Sequence, residues 1–322
     1  MDSLTQAALG AAIGEAFLGK KIGNKGAVIG AVVATIPDLD VALYLFYDKF
    51  QMLSIHRGYS HSILFSLLGA FLIAYTLQRI KWTKLVSYNR LWIFSWLALF
   101  THMLLDTFTA YGTQLFLPFS NNRVGFDSIN IVDPVYTVPL LVGLLCSLIF
   151  LKNKPSRGIY NYLGIAISTL YLLGTLGVKE HVEQHFRTAS AQQNIAYNSL
   201  LTVPVGIASL SWYGVMKAEN GLYLGKYPLL KEEESAFAYF PINEHLLNEI
   251  PPVAAETMRW FAKGNYTVTR DQEKIRIYNL QVDMRGIVKE GETKAPTMGY
   301  FEITPKADAG FLFSSGAHQQ QE

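Results

Sequence analysis

Residues 91–111 read LWIFSWLALFTHMLLDTFTAY, an apolar run whose only Asp, Glu, His, Lys or Arg residues are His102 and Asp106. A helix needs about 20 apolar residues to cross the hydrocarbon core of a bilayer, so this run is long enough to span a membrane. An ionisable group at membrane depth costs roughly 2.5–3.5 kcal/mol on insertion scales, so such a residue is functional by default. The stretch therefore predicts a transmembrane helix that contains part of a site.

Five more segments in the first 178 residues are apolar, and four of them are long enough to span. The remaining one, about 4–19, is rich in Ala and Gly, which let helices approach closely, so we interpret it as a packed helix, spanning or re-entrant. We predict a mainly α fold, a polytopic transmembrane bundle of about five to six helices. The four spanning segments lie at about 26–47, 61–78, 135–151 and 159–178.

The composition of the whole chain supports a membrane protein. Hydrophobic residues make up 50% of its 322 residues and charged residues 16%, whereas a soluble protein has about 25% charged residues. A net charge of +2 without a basic stripe gives no case for a nucleic-acid partner. The single cysteine, Cys146, excludes a disulfide framework and a thiolate metal site. Met1-Asp2-Ser3 lacks the basic start of a signal peptide, so we expect the first segment to remain in the mature protein.

Lysine and arginine residues are concentrated in alternate linkers between the apolar segments. The linkers at 20–25, 79–90 and 152–157 are basic, whereas 48–60 and 112–134 contain few basic residues. Under the positive-inside rule the basic linkers are cytoplasmic and the other two face outward. The N-terminus and the region after residue 198 are then also predicted on the extracytoplasmic side.

The chain becomes more polar after residue 178, and this change suggests domain boundaries. We predict a transmembrane metal-site domain over 1–178 and a connector helix over 179–198. A small extracytoplasmic α+β domain is predicted over 199–314, followed by a disordered tail over 315–322.

Within the α+β domain, turn signals indicate the arrangement of its elements. Residues 218–221, Ala-Glu-Asn-Gly, are typical of a hairpin turn. Pro251-Pro252 should interrupt or delay a helix near 243–262, because proline removes a helical hydrogen bond. Strands are predicted near 200–216, 222–228, 265–270, 274–282 and 298–304.

Two aspartates lie in the second half of the segment 26–47. Pro37 leaves a backbone carbonyl unpaired and should break or kink this helix. Asp38 and Asp40 follow directly, and a break allows both carboxylates to point into one cavity, although residues i and i+2 of a regular helix diverge.

Two histidines precede the segment 61–78. They are His56 and His61 of the run His-Arg-Gly-Tyr-Ser-His-Ser, in which Gly58 permits a tight turn and Ser60 is a natural N-cap for the next helix. His102 and Asp106 of the segment 91–111 are spaced i,i+4 and so share one helical face.

The topology derived from Lys and Arg places all three motifs toward the extracytoplasmic face. Mixed imidazole and carboxylate ligands suit Zn, Mn or Fe, and two ions about 3.5–4 Å apart can activate a water and hold a phosphoryl or acyl oxygen. Each pair alone also fits a structural role, as a buried hydrogen-bonded pair or a helix cap, but convergence of the whole set favours metal. We predict one or two divalent ions, Zn first, held by Asp38, Asp40, His56, His61, His102 and Asp106.

Other charged residues are assigned lesser or different roles. Arg57 is predicted as a catalytic residue that pairs with a phosphate. Asp127 and Asp133 are second-tier candidates that could complete or support the site, although Asp133-Pro134 is first typical of a turn. His181 and His185 lie on the polar connector, where a solvated helix face is expected.

The motifs together resemble the bacterial membrane-bound metal-dependent hydrolases, a family with members described as LexA-regulated. The resemblance covers roughly residues 1–150 and implies a helical inner-membrane protein, a hydrolase activity and metal-ligand roles for the six candidates above. Many relatives have His at the position of Gln6, so the resemblance implies that one ligand of a two-metal site is absent here. The residues that carry it are Met1-Asp2-Ser3-Leu4-Thr5, Pro37-Asp38-Leu39-Asp40, His56-Arg57-Gly58-Tyr59-Ser60-His61-Ser62 and His102-Met103-Leu104-Leu105-Asp106.

The function expected from these patterns is hydrolysis of a lipid or lipid-linked phosphoester at the outer membrane interface by metal-activated water. Membrane lipid is therefore the expected partner. One alternative is a cation or proton transporter, because Asp and His on a broken helix also suit an ion pathway. Another is a non-catalytic membrane protein whose metal is structural, for which a closed, fully protein-ligated site is typical.

Overall fold

The structure, a computed structural model, describes residues 1–152, 154, 156–231, 235–281, 299–306 and 310–316. The chain divides into two compact units. The first comprises Met1–Leu45 and Ile55–Leu176, and the second Phe46–Ser54 and Gly177–Glu322.

Helices build the first unit, and helices and strands build the second. Tyr59–His61 and Pro37–Leu45 are 3₁₀ helices, and Cys146–Phe150 is a π-helical turn. The α-helices in the described residues are α1 Ser3–Ile22, α2 Lys25–Thr35, α3 Lys49–Ile55, α4 Ile63–Arg79, α5 Tyr88–Thr107, α6 Pro134–Leu145, α7 Arg157–Gln192 and α8 Pro252–Phe261.

The first two helices approach each other through glycine. A Cβ atom placed on Gly14 would lie 2.1 Å from the carbonyl oxygen of Gly26, so a side chain at position 14 would force the two helix backbones apart. Glu15 on α1 is buried and bonded by Arg157, whose Nη2 donates to Oε2 at 2.6 Å. The Ala and Gly content of α1 thus serves close packing, and its one buried carboxylate is neutralised by α7.

Proline breaks the segment 26–47 as predicted. Helix α2 ends at Thr35, and the 3₁₀ helix Pro37–Leu45 continues at a bend of 52°. The two aspartates Asp38 and Asp40 both lie in the first turn after the bend.

The count of possible membrane spans is smaller than the five to six that the sequence predicts. In the described part of the chain, α7 is long and apolar enough to cross a membrane, and up to three spans result if two bent helix pairs count as one span each. The predicted segments are divided into shorter pieces: α4 has 17 residues and α6 has 12. A bundle of five to six spans is therefore not confirmed.

A hydrophobic core joins the helices of the first unit. It packs residues from α1, α2 and α5 against α6, and its members include fully buried Leu18, Phe94, Leu99 and Leu140. Helix α5 contributes five of the buried residues of this core, as many as α1, so His102 and Asp106 are held by a tightly packed element.

The second unit contains two antiparallel sheets of four strands, each in sequential order. The predicted turn 218–221 joins β2 to β3, which confirms the hairpin. The predicted strand 200–216 is instead two paired strands, because Gly206 adopts a positive φ of 77° and reverses the chain between them. The strands are β1 Ser199–Val205, β2 Ser211–Lys217, β3 Gly221–Pro228, β4 Phe237–Pro241, β5 Tyr266–Asp271, β6 Lys274–Asn279, β7 Tyr300–Pro305 and β8 Phe311–Gly316.

The two prolines at 251 and 252 act as predicted. A 3₁₀ helix, Glu244–Glu249, precedes them, and α8 starts at Pro252, where a missing N–H costs nothing. Strand β8 reaches Gly316, so the first two residues of the predicted disordered tail belong to a strand. The rest of that tail, 317–322, lies outside the described residues.

Candidate metal centre

Four side chains from three separate elements meet in the first unit. Asp38 comes from the 3₁₀ helix after the bend, His61 from the short 3₁₀ helix before α4, and His102 and Asp106 from one face of α5. One ligand atom from each lies within 4.8 Å of the others, so the group could hold a metal ion. We call these four residues the inner group.

Five distances between ligand atoms of the inner group lie between 3.2 and 3.9 Å. Nε2 of His61 lies 3.2 Å from Nε2 of His102, and Oδ1 of Asp38 lies 3.4 Å from each of these nitrogens. Oδ2 of Asp106 lies 3.5 Å from Nε2 of His61 and 3.9 Å from Nε2 of His102. Zinc ligands at about 2.0–2.1 Å in a tetrahedron are separated by roughly 3.3–3.4 Å, close to most of these values.

The inner group is enclosed, with one side more open. The side chains of His61, His102 and Asp106 are 0%, 0% and 2% exposed, whereas that of Asp38 is 22% exposed. Burial of three ligands excludes bulk water from the centre, so a small molecule would approach the group from the side of Asp38.

The hydrogen bonds around His61 fix which of its nitrogens carries the proton. The hydroxyl of Ser60 donates its proton to Oδ2 of Asp40 at 2.7 Å, so Ser60 can only accept from Nδ1 of His61, which is 2.9 Å away. In the neutral imidazole, Nε2 of His61 is then the nitrogen without a proton, and it presents a lone pair to the inner group. Such a bond from the other ring nitrogen is the usual support of a metal-ligating histidine.

Asp40 and His56, both predicted as ligands, lie outside the inner group. Oδ1 of Asp40 is 2.8 Å from Nδ1 of His56, and its Oδ2 accepts from Ser60 and from the backbone N–H of Arg57 at 3.3 Å. Asp40 therefore forms a second layer that ties the segment 56–61 to the bend after Pro37.

The cap of α4 differs from the prediction. Ser62, and not Ser60, accepts from the backbone N–H of Phe65 at 3.1 Å and is the N-cap. Since Ser60 lies two residues before the N-cap of α4, its hydroxyl is available for Asp40 and His61.

Arg57 is buried beside the inner group in a left-handed backbone conformation. Its φ is 60°, a conformation that costs a residue other than glycine about 1–2 kcal/mol, whereas Gly58 has a negative φ of −95°. Nη1 donates to Oγ1 of Thr109 at 2.9 Å, and Nε lies 3.4 Å from Oδ2 of Asp106. The strained residue of this turn is thus the arginine itself, and strain of this kind concentrates at functional sites.

Gln6 on α1 and the amino group of Met1, which precedes α1, also reach the inner group. Nε2 of Gln6 donates to Oδ1 of Asp106 at 3.1 Å and to the carbonyl oxygen of His102 at 3.1 Å, and the amino group of Met1 is paired with Oδ1 of Asp106. Oε1 of Gln6 is buried and has no hydrogen-bond partner in the described part of the chain. The resemblance identified position 6 as a ligand position, and here it supports a ligand instead.

The remaining candidates have other partners. Asp133 caps α6 by accepting from the backbone N–H of Val135 at 2.9 Å, so Asp133-Pro134 begins a helix and is not an isolated turn. Asp127 is buried but is not part of the inner group. His181 is exposed as expected, whereas His185 is half-buried, because its ring stacks on Tyr227 with centroids 3.8 Å apart.

The chemistry of the donors fits a divalent transition metal. Two imidazole nitrogens and two carboxylate oxygens suit Zn, Mn or Fe, and the inner group contains no thiolate. Nδ1 of His102 is buried without a partner among the described residues, so the protein fixes the tautomer of one of the two histidines only.

The sequence matches the YdjM inner membrane protein family over residues 1–182. The uncharacterized protein YfhP of Bacillus subtilis (strain 168) is 32% identical over 151 residues, which are 45% of this chain and 45% of that protein. The inner membrane protein YbcI of Escherichia coli (strain K12) is 30% identical over 122 residues, which are 37% of this chain and 69% of that protein. No solved structure matches the chain.

These similarities support one part of the resemblance inferred from the motifs. The family and the Escherichia coli relative are described as inner membrane proteins. Neither description names a reaction or a metal, so the hydrolase activity remains a prediction. The aligned regions cover less than half of the Bacillus subtilis protein.

Proposed function

Because the chain belongs to the YdjM inner membrane protein family, we propose that it is a multi-pass, metal-dependent hydrolase of the inner membrane. Its substrate is a lipid or lipid-linked phosphoester, and its site opens at the extracytoplasmic face. The arrangement of the inner group is the observation that carries this proposal.

Helix lengths and charges support the multi-pass arrangement. Helices α1 and α5 have 20 residues each, about 30 Å, which matches the hydrocarbon thickness of a bilayer. The basic linkers at 20–25, 79–90 and 152–157 alternate with weakly basic ones, as the positive-inside rule requires. In this topology the part of the second unit from Gly177 on is extracytoplasmic.

The inner group supports the presence of a metal, because burying its four donor atoms together without a cation would be unfavourable in free energy. The lone pair on Nε2 of His61 faces Nε2 of His102 at 3.2 Å, with two carboxylates beside them. Carboxylates and imidazole lone pairs are expensive to bury together unless a cation lies between them. One divalent ion satisfies all four residues, so we propose one ion per chain, Zn first.

The charges around the site favour an anionic substrate. A divalent ion held by the inner group would supply an activated water and a charge that polarises a phosphoryl oxygen. Its charge and that of the Arg57 guanidinium would together outweigh the carboxylates of Asp38 and Asp106, so the site would attract an anion. Arg57 can pair with a phosphate through its planar fork. Asp38 is the most exposed member of the inner group, so a water can donate a hydrogen bond to its carboxylate or lose a proton to it.

The surface next to Asp38 favours a lipid. The 3₁₀ helix Pro37–Leu45 carries Asp38 and Asp40 on its inner side, whereas Leu39, Tyr44 and Leu45 are 64%, 53% and 82% exposed. An apolar surface with an aromatic residue is typical of the membrane interface. A phospholipid headgroup could therefore reach Asp38 while its acyl chains remain against this helix.

Hydrolysis of phospholipid in vesicles that contain the purified chain and added Zn²⁺ tests the proposal. We expect release of a phosphate-containing product, reduced at least 100-fold in Asp38→Asn and at least 10-fold in Arg57→Lys, which keeps the charge but loses the fork. His181→Ala, on an exposed position outside the inner group, is the matched control and should keep full activity. Equal activity in all four proteins would show that the hydrolysis comes from another source.

A structural metal is the second candidate, because four protein ligands can complete a tetrahedron. Closed sites of this type are typical of structural zinc, whereas catalytic sites keep a position for water. The exposure of Asp38 favours the enzyme. If Asp38→Asn retains the metal and the wild type hydrolyses no phosphoester, the structural function is the better one.

A further inference from the structure

A cleft in the second unit has the chemistry of a ligand-binding site. It has a volume of about 370 Å³ and opens beside the turn that joins β2 to β3. Its walls come from the segment before β1, the turn, and strands β3 and β4. The polar and aromatic side chains that line it are Tyr197, Asn198, Glu219, Asn220, Tyr223 and Tyr239.

Two tyrosine rings form adjoining walls of the cleft. Tyr223 on β3 and Tyr239 on β4 are direct cross-strand partners, so their side chains lie on the same face of the sheet. The ring centroids are 5.0 Å apart and the ring planes are inclined at 54°. A cation is attracted to a ring when it lies within about 6 Å of the centroid, and this separation allows one cation to satisfy both rings.

The backbone allows Tyr239 to lie where it does. A Cβ atom on Gly221 would be 2.3 Å from Cε2 of Tyr239, so a side chain at position 221 would push the ring aside. Tyr197 and Tyr223 pack against the core around Trp212, which holds their rings in place. The aromatic walls are therefore positioned by the fold before any ligand arrives.

The charged side chains that line the cleft determine whether it favours a cationic or an anionic ligand. Among the described residues that line it, Glu219 is the single charged side chain, and no lysine, arginine or histidine contributes. A carboxylate in a cleft lined by tyrosine rings favours a cation and disfavours a phosphate or carboxylate ligand. The amides of Asn198 and Asn220 can bond a hydroxyl carried by the same ligand.

We propose that this cleft binds an organic ammonium group, with Tyr223 and Tyr239 against the cation and Glu219 as its counter-charge. The group is carried either by a free small molecule or by a lipid headgroup of the ethanolamine or choline type. This site uses other residues than the inner group, so it stands independently of the proposed hydrolase activity.

Calorimetric titration of the full chain in a zwitterion-free detergent tests the proposal with choline and its neutral isostere 3,3-dimethyl-1-butanol. We expect choline to bind at least tenfold more tightly than the isostere, because the two have the same shape and differ in charge. Equal affinities for choline and the isostere would overturn the proposal, and so would tighter binding of glucose, a neutral sugar, than of choline. The absence of a heat signal with choline up to about 50 mM would also overturn it, since the dissociation constant of an exposed cation–π site should lie in the millimolar range.

Substitutions distinguish the contribution of the tyrosine rings to choline binding from that of the rest of the cleft. Tyr239→Phe keeps the aromatic face and should bind choline within about threefold of wild type, whereas Tyr239→Leu should bind at least tenfold more weakly. Gly221→Ala should weaken binding as well, because it displaces the ring of Tyr239. Unchanged binding in Tyr239→Leu and Glu219→Gln, with unfolding temperatures equal to wild type, would contradict the assignment.

The two sources of the ammonium group are distinguished with lipid bilayers. If the natural ligand is a headgroup, wild type placed in phosphatidylcholine nanodiscs should bind free choline more weakly than in phosphatidylglycerol nanodiscs, because the headgroup competes. Equal affinity in both nanodiscs identifies a free small molecule as the ligand, and in either case the difference from 3,3-dimethyl-1-butanol must persist.

Discussion

Nε2 of His61 lies 3.2 Å from Nε2 of His102, although the two residues are brought together from different helices. Nδ1 of His61 donates to Ser60, so in the neutral imidazole the nitrogen that faces His102 carries no proton. The arrangement has the form of two ligands of one ion.

The chain Asp40–Ser60–His61 should control metal affinity without supplying a ligand. Ser60→Ala removes the acceptor for Nδ1 of His61, so the ring can turn and its basicity falls. Loss of such a support typically weakens metal binding 10–100-fold. We expect this loss in competition with a zinc-binding dye, with one site per chain still present at saturation.

Ser62→Ala is the matched control for that experiment. It removes the N-cap of α4 and should lower the free energy of unfolding by about 0.5–2 kcal/mol while leaving zinc affinity unchanged. If Ser62→Ala weakens zinc binding as much as Ser60→Ala, the effect of Ser60 is one of folding and not of ligand support.

The pair between Glu15 and Arg157 should be essential to the packing of α1. Glu15→Gln leaves a mostly buried guanidinium without its carboxylate, and removal of one partner of a buried pair costs about 3–5 kcal/mol. We expect a clearly lower unfolding temperature in detergent, whereas Glu256→Gln on the exposed side of α8 should change stability little. Similar unfolding temperatures for both variants would argue against a buried pair.

The second unit should lose part of its stability in acid through Glu244. Burial raises the pKa of this carboxyl, but hydrogen bonds from Tyr266 and Arg259 outweigh burial, so the pKa lies below its usual range. The unfolded chain then binds a proton at higher pH than the folded chain does, and the stabilisation is lost as pH falls below about 4.3.

Thermal unfolding between pH 7 and pH 3 checks this sign. The difference in unfolding temperature between wild type and Glu244→Gln should be largest at neutral pH and should shrink as the carboxyl is protonated. A difference that stays constant over this range would mean that Glu244 contributes no charge-dependent stability.

The sequence predicts those parts of the fold that depend on local chemistry. Pro37 breaks the helix, residues 218–221 form the hairpin turn, and the i,i+4 spacing places His102 and Asp106 on one face, because each effect depends on neighbours in sequence. The separation of Asp40 from the inner group could not be predicted in this way. Asp38 and Asp40 follow the same break, and which of them faces α5 is decided by packing.

Local sequence also could not decide which of two serines, Ser60 or Ser62, caps α4, because the answer depends on the residue at which the helix starts. Both Ser60 and Ser62 are suitable caps, and a shift of two residues in the start of α4 exchanges their roles. The approach of Gln6 to Asp106 joins residues 100 positions apart in sequence, and no local pattern reports such a contact.

Metal content of the detergent-purified chain, measured by mass spectrometry after incubation with Zn²⁺ and removal of excess ion, tests the central proposal most directly. Wild type and His181→Ala should each contain one ion per chain, and His102→Ala should contain none. A wild type that takes up no metal, or a His102→Ala variant that retains as much as wild type, would contradict the account.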